Sequence, residues 1–244
     1  MTPSLSADIT RTPHHARQAA VLARLVGVRK RFGSRWALSG VDLDVREGEV
    51  LVVLGPNGAG KTTALNVLTG LRPADGGTVS LFGSDPRAAA VRRGLGVTPQ
   101  DLEFPAMLRV HELVDLIRAH YPNPLPTETV LERFELVHLR DRYSSALSLG
   151  ERRRLAVAFA FAGNPRLACL DEPTTGLDVE SRRAVWRALR AYVEHGGTVL
   201  LTTHYLEEAE ALATRVVVIA GGKTIFEGSV AEIKARVGVK QVSL

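Results

Sequence analysis

At 244 residues, 45% hydrophobic and 23% charged, the chain has the length and composition of one sizeable α/β domain with a core of its own. No apolar run approaches bilayer-crossing length, and Arg17 and Arg24 flank only a short apolar stretch, so neither a membrane span nor a signal peptide is expected and the chain is expected to stay in the cytoplasm. The single cysteine, Cys169, sits in an apolar run and excludes an internal disulfide framework, while the net charge of +5 comes from scattered basic residues and points to a solvated surface.

Residues 1–20 mix Pro, Ser, Thr and Ala without periodicity and are expected to form a flexible tail. From Arg24 the pattern becomes strand-like, and Val41, Leu43 and Val45 alternate with Asp42, Asp44 and Arg46, as in a half-buried strand. Val50 to Leu54 (VLVVL) is continuously apolar, which fits a central parallel strand. A glycine-rich stretch leads to a helix beginning near Lys61, followed by strands at Gly77 to Phe82 and Leu95 to Thr98. Val110, Leu113, Val114, Ile117 and Tyr121 fall at helical spacing, ended by Pro122, Pro124 and Pro126. A short helix over Glu128 to Phe134 completes a small helical insertion spanning 101–147. Beyond it the pattern predicts a buried helix through Ala156 to Ala162 and a strand at Leu167 to Leu170. A helix at Val179 to Glu194, a strand at Thr198 to Thr203, a helix at Tyr205 to Leu212 and a strand at Val216 to Ala220 follow. This alternation argues for a mainly parallel sheet with helices on both faces.

GPNGAGKT, Gly55 to Thr62, fits the G-x-x-x-x-G-K-T phosphate loop between a buried strand and a helix. The glycines let backbone N–H groups wrap phosphates, and the helix N-terminus adds partial positive charge. Lys61 is placed against the β- and γ-phosphates, and the Thr62 hydroxyl against Mg²⁺. A second apolar strand ends in two acids, Asp171 and Glu172. In this context Asp171 suits a Mg²⁺ shell, and Glu172 suits orienting or deprotonating the attacking water.

GPNGAGKTT, LDEPTTGLD (Leu170 to Asp178) and TTHYLEEAE (Thr202 to Glu210), in this order and spacing, resemble the ATP-binding cassette (ABC) family over about Arg24 to Val237. The resemblance implies an α/β P-loop NTPase (RecA-like) fold with a mainly parallel sheet, an N-terminal antiparallel β subdomain and an inserted helical subdomain. The nucleotide-binding domain would cover 21–244, with the helical subdomain at about 101–163. Residue by residue, it assigns Phe32 to stacking on adenine. Gly55, Pro56, Asn57, Gly58, Ala59, Gly60, Lys61, Thr62 and Thr63 are assigned to the phosphates. Thr62, Gln100 and Asp171 go to Mg²⁺, and Glu172, His204 and Lys61 to catalysis. Asp178 matches a loop that touches a partner subunit, and it also suits an N-cap before Val179.

The stretch LSLGE, Leu147 to Glu151, stands where the family has LSGGQ, a loop that receives the γ-phosphate held by the opposite subunit. Ser148 and Gly150 match; Leu149 and Glu151 depart. Leu149 is a difficulty only if its backbone needs positive φ. Ser148 and Glu151 form S-x-x-E, a capping-box pattern; Glu151 either turns back to the Ser148 N–H and away from phosphate, the geometry favoured here, or points the other way, where its charge would repel the γ-phosphate. Arg152 to Arg154 are read as a solvated or salt-bridged face.

The resemblance implies an ATPase with ATP and Mg²⁺ as ligands. It dimerises around two ATP with a second cassette, as a homodimer or a heterodimer, on the cytoplasmic face of the cell membrane. There it would drive a separate integral-membrane permease, with export favoured by similarity to drug- and polysaccharide-type exporters. No nucleic acid partner is expected. Two alternatives stay open: a soluble ABC ATPase acting on nucleic acid or ribosomes, and a non-hydrolysing regulatory cassette.

Overall fold

The structure is a computed structural model describing residues 19–98 and 103–241. Gln100 and nearly all of the expected 1–20 tail lie outside the described residues. The chain opens with two long strands, β1 (Val21–Phe32) and β2 (Arg35–Arg46), antiparallel to each other. In β2, Val41, Leu43 and Val45 are buried and Asp42 and Arg46 exposed, the alternation that the sequence predicts. After β3 (Val50–Leu54) and helix α1 (Lys61–Leu68), strand β4 (Gly76–Leu81) returns to pair with β1. This completes a three-stranded antiparallel sheet in the order β2-β1-β4.

The remaining elements run α2 (Ala89–Arg92), β5 (Leu95–Thr98), α3 (Val110–Arg118), α4 (Thr127–Arg133), α5 (Leu149–Ala162), β6 (Leu167–Asp171), α6 (Val179–Glu194), β7 (Val199–Thr203), α7 (Leu206–Leu212), β8 (Arg215–Ala220), β9 (Lys223–Gly228) and α8 (Val230–Gln241). The second sheet has the order β5-β6-β7-β3-β8-β9, parallel throughout except for β9, which runs antiparallel on the edge.

Side chains on successive strand residues go to opposite faces, so a strand that is apolar at every position must be covered on both sides. In β3, Val50 and Val52 join a core with Leu113, Val130, Leu155 and Leu189 from α3, α4, α5 and α6. Leu51 and Val53 join a second core with Leu65 and Leu68 of α1 and Leu25 and Val41 of the antiparallel sheet. Helix α3 stops at Arg118, short of the predicted Tyr121, because Pro122, Pro124 and Pro126 follow within two turns. The Tyr121 ring instead packs on Gly163, where a Cβ would lie 2.4 Å from it.

Strand register places the chemistry. In β3 Leu54 pairs with Thr203 of β7, and in β6 Asp171 pairs with Thr202 of β7. Three parallel strands therefore end side by side. They deliver Gly55 to Thr62, Asp171 with Glu172, and His204 to one edge of the sheet, where ligands of open α/β sheets bind.

Candidate nucleotide site

A cavity of about 810 Å³ opens at these strand ends, lined among others by Phe32, Trp36, Lys61, Thr62, Glu172 and His204. Its floor is the loop before α1. Gly60 caps that helix with φ of 108° and no side-chain hydrogen bond, and no acid stands in the first turn. The N-terminal N–H groups of α1 thus face the cavity without a side-chain acceptor, which is the arrangement of an anion site. Gly60 is required on two counts: L side chains rarely adopt its φ, and a Cβ would sit 2.7 Å from the Ala37 carbonyl oxygen.

Lys61 is buried, and its ammonium donates to the carbonyl oxygens of Gly55 (2.9 Å) and Pro56 (3.2 Å) and lies 3.2 Å from Glu172 Oε1. Asn57, Gly58, Gly60, Thr62 and Thr63 line the cavity, while Ala59 is buried beneath the loop. The Thr62 hydroxyl donates to Asp171 Oδ1 at 3.1 Å, bringing together the two side chains that the sequence assigns to a cation.

Glu172 is the most constrained residue of the site. It is 7% exposed, and its φ of 45° is a left-handed conformation that costs a non-glycine residue about 1–2 kcal/mol. Its N–H is held by both the carbonyl and the hydroxyl oxygen of Thr202, each at 3.1 Å. Thr175 Oγ1 donates to Oε2 at 3.2 Å, and His204 Nδ1 stands 3.4 Å from Oε1. At that separation the His204 nitrogen is within ion-pair range but is not aligned as a hydrogen bond. Burial pushes the Glu172 carboxyl up. The Lys61 ammonium and His204 beside it more than offset this and hold it below its ordinary value, so it is ionised at neutral pH. The His204 ring also packs on Tyr205, centroids 3.9 Å apart.

Phe32 is half exposed at the cavity rim, with the Arg72 and Lys30 cations each 5.8 Å from its ring. Ser148, Gly150 and Asp178 do not line the cavity. They form a separate surface: Ser148 caps α5, Asp178 caps α6, and a Cβ on Gly150 would lie 3.0 Å from Ser181 Oγ. The Ser148 hydroxyl accepts from Glu151 N at 3.2 Å, and the Glu151 carboxylate accepts from Ser148 N at 2.7 Å, so Glu151 closes the capping box. Leu149 has no positive φ and is 71% exposed, so no strain resides there.

Of the arginines after it, Arg152 is exposed and Arg154 is ion-paired, as the sequence reading has them, and Arg153 turns to backbone carbonyls. The Arg154 ion pair is a 4.0 Å approach to Glu135. Arg152 donates to the carbonyl oxygens of Leu147 (3.1 Å) and Ser145 (3.3 Å). Arg153 donates to the carbonyl oxygens of Asp171 (2.9 Å), Glu172 and Pro173 (3.1 Å), tying α5 to the loop that carries the acid. Sequence reasoning also passes over Trp36, Thr175 and Thr202. Thr175 lay in the quoted LDEPTTGLD, but nothing in the sequence says which hydroxyl reaches the carboxylate.

Residues 38–175 match the sequence profile of the ABC transporter family. The chain is 40% identical over 225 residues to a daunorubicin resistance ATP-binding protein of Streptomyces coeruleorubidus, covering 89% of this chain and 71% of that one. It is 41% identical over 210 residues to a Nod factor export ATP-binding protein of Burkholderia thailandensis, covering 83% and 69%. Among solved structures, a dimeric ATP-binding cassette in a post-hydrolysis state with ADP and Pi superposes with a TM-score of 0.77 at 26% identity, covering 85% of this chain and 98% of that one. The chain therefore belongs to the ABC transporter family and is an ATP-binding, ATP-hydrolysing cassette.

Proposed function

We propose that this chain drives a separate integral-membrane permease, in the direction of export, by closing with a second copy of itself around two ATP molecules on the cytoplasmic face of the membrane. The relatives at about 40% identity carry the words resistance and export in their names, which favours export and disfavours action on nucleic acid or ribosomes. No helix among the described residues is long and apolar enough to cross a membrane, so the permease is sought in another chain. The observation that carries the catalytic reading is Glu172, an ionised buried carboxylate held between Lys61 and His204 in the cavity.

Within this reading the α1 N-terminus and Lys61 hold the β- and γ-phosphates, and Phe32 stacks on adenine. Glu172 orients the attacking water and accepts its proton, while His204 steadies the γ-phosphate. Water oxygen bonds to phosphorus as the bridging oxygen leaves with ADP, giving ADP and phosphate. The donors near Thr62 fit Mg²⁺: a hydroxyl and a carboxylate 3.1 Å apart supply two oxygens, with room for phosphate oxygens and water around a small hard cation. Thr62, Asp171 and Gln100 would hold it, and it would neutralise charge on the transferring phosphoryl group. Ser148, Gly150 and Asp178 complete the opposite subunit's site. The proposed layout is a nucleotide-binding domain over 21–244 with a helical subdomain at about 101–163, of which the segment 101–147 would form the groove that docks the permease.

Co-purification of the chain with a permease in membranes, and ATP hydrolysis by wild type but not by Glu172→Gln, test this reading. A Glu172→Gln protein that turns ATP over at the wild-type rate contradicts the role of Glu172.

A further inference from the structure

Glu208, on α7, is 1% exposed, a rare place for a carboxyl group. Thr174 Oγ1 donates to its Oε1 at 2.8 Å and Trp186 Nε1 at 3.3 Å, while Oε2 is out of solvent with no aligned partner. These contacts join three segments. Thr174 lies two residues beyond Glu172, on the loop whose next residue, Thr175, donates to Glu172 Oε2. Trp186 belongs to α6, whose N-cap is Asp178. Glu208 itself stands one helical turn after His204 and Tyr205, where strand β7 gives way to α7. Burial raises the Glu208 carboxyl above its ordinary value, partly offset by Thr203, Thr174, Trp186 and the more distant charge of Arg182.

We propose that Glu208 is a positioning residue for hydrolysis: its buried carboxyl fastens the loop carrying Glu172 to the helix that follows His204, so that the base and the histidine keep their mutual register. The inference rests on the ATPase reading above. A residue that touches no substrate acts by geometry alone, and misplacement by about 1 Å is worth on the order of 100-fold in rate. Turnover should therefore fall while ATP affinity holds. An amide should substitute, because its carbonyl oxygen accepts from the Thr174 hydroxyl and the Trp186 indole just as the acid does.

The test compares Glu208→Ala, Glu208→Gln and Thr174→Val in the full chain with wild type. ATP affinity, single-turnover hydrolysis and the imidazole resonances of all seven histidines are measured, with His204 assigned from His204→Ala. Glu208→Ala is expected to lower turnover about tenfold with ATP affinity within about twofold, and to shift the His204 resonances but not those of the other six. Glu208→Gln should restore both readouts, and Thr174→Val should move them in the direction of Glu208→Ala. Three results overturn the proposal: wild-type turnover and His204 resonances in Glu208→Ala, affinity lost in step with turnover, or failure of Gln to rescue. If Glu208→Ala does not fold, Thr174→Val decides by the same readouts. If wild type hydrolyses no ATP, the ATPase reading fails, and the His204 resonances alone decide whether Glu208 positions that side chain.

Discussion

Lys61 and Leu149 each begin a helix, yet the two helix ends are finished differently. At α1 the cap is Gly60, with no side-chain acceptor and no acid in the first turn, so the N–H groups stay directed at the cavity. At α5 Ser148 and Glu151 satisfy each other's backbone donors on an exposed surface. Both ends carry the partial positive charge of a helix N-terminus, but only the first does without any side-chain cap and adds a buried ammonium. On the proposed reading, the difference is that of one chain holding a whole phosphate site and half of another: the α1 end would bind by itself, and the α5 end would be stable until a second nucleotide is presented to it.

The comparison breaks most visibly at the first end. Lys61→Ala should weaken ATP binding by on the order of 100-fold or more, since it removes a buried charged donor from the pocket. Glu172→Gln should retain binding and lower turnover by about 10²–10⁴-fold. Titration with ATP and a phosphate-release assay separate the two effects, and equal losses of binding in both variants would dissolve the division of roles between them.

Next in size is a pair of glycine changes. Gly60→Ala meets the Ala37 carbonyl at 2.7 Å with φ of 108°, and should destabilise the fold by about 1–3 kcal/mol in urea unfolding. Gly150→Ala lies in the first turn of α5, 3.0 Å from a hydroxyl that can rotate away. It should change stability by less than about 1 kcal/mol while impairing ATP-dependent dimerisation. Smaller again, Ser148→Ala should cost about 1 kcal/mol through the lost cap. Glu151→Gln should cost less than about 0.5 kcal/mol, because glutamine also closes a capping box. A larger loss from Glu151→Gln would mean that its charge matters at the surface, where Arg142 lies 3.3 Å away.

The smallest effect is in pH. The folded Glu172 carboxyl lies below its ordinary value of 4.5, so the stability that it contributes is fully present above 4.5 and is lost as pH falls through the lower folded value. Unfolding curves of wild type and Glu172→Gln should therefore run parallel from pH 7 to about pH 5 and converge only below about pH 4.5. Convergence at higher pH would mean that the carboxyl is not held down by Lys61 and His204.

The fold was readable wherever burial imposes a period. VLVVL, LACL and VLL are apolar throughout because both faces of the sheet are covered, and each lies in a strand at or within a residue of its expected limits. Strand β9 was not read, since as an edge strand it alternates exposed and half-buried positions and leaves no continuous apolar run. The residues at the cavity were legible because phosphate chemistry demands fixed residue types at fixed spacing. The supporting contacts were not. The positive φ of Glu172, the grip of Arg153 on three carbonyls and the meeting of Glu208 with Thr174 all depend on which elements lie side by side. Strand register sets that, and a run of three arginines in sequence looks the same whether it meets water or a carbonyl.

The central claim, that one chain carries a complete phosphate site and half of a second, is tested most directly by the mass of Glu172→Gln with and without Mg-ATP in light scattering. The account predicts a monomer alone, a dimer with Mg-ATP, and loss of that dimer in a further Ser148→Ala, Gly150→Ala background that still binds ATP. A protein that binds ATP tightly yet stays monomeric, or that dimerises equally well without the Ser148 and Gly150 surface, would contradict it.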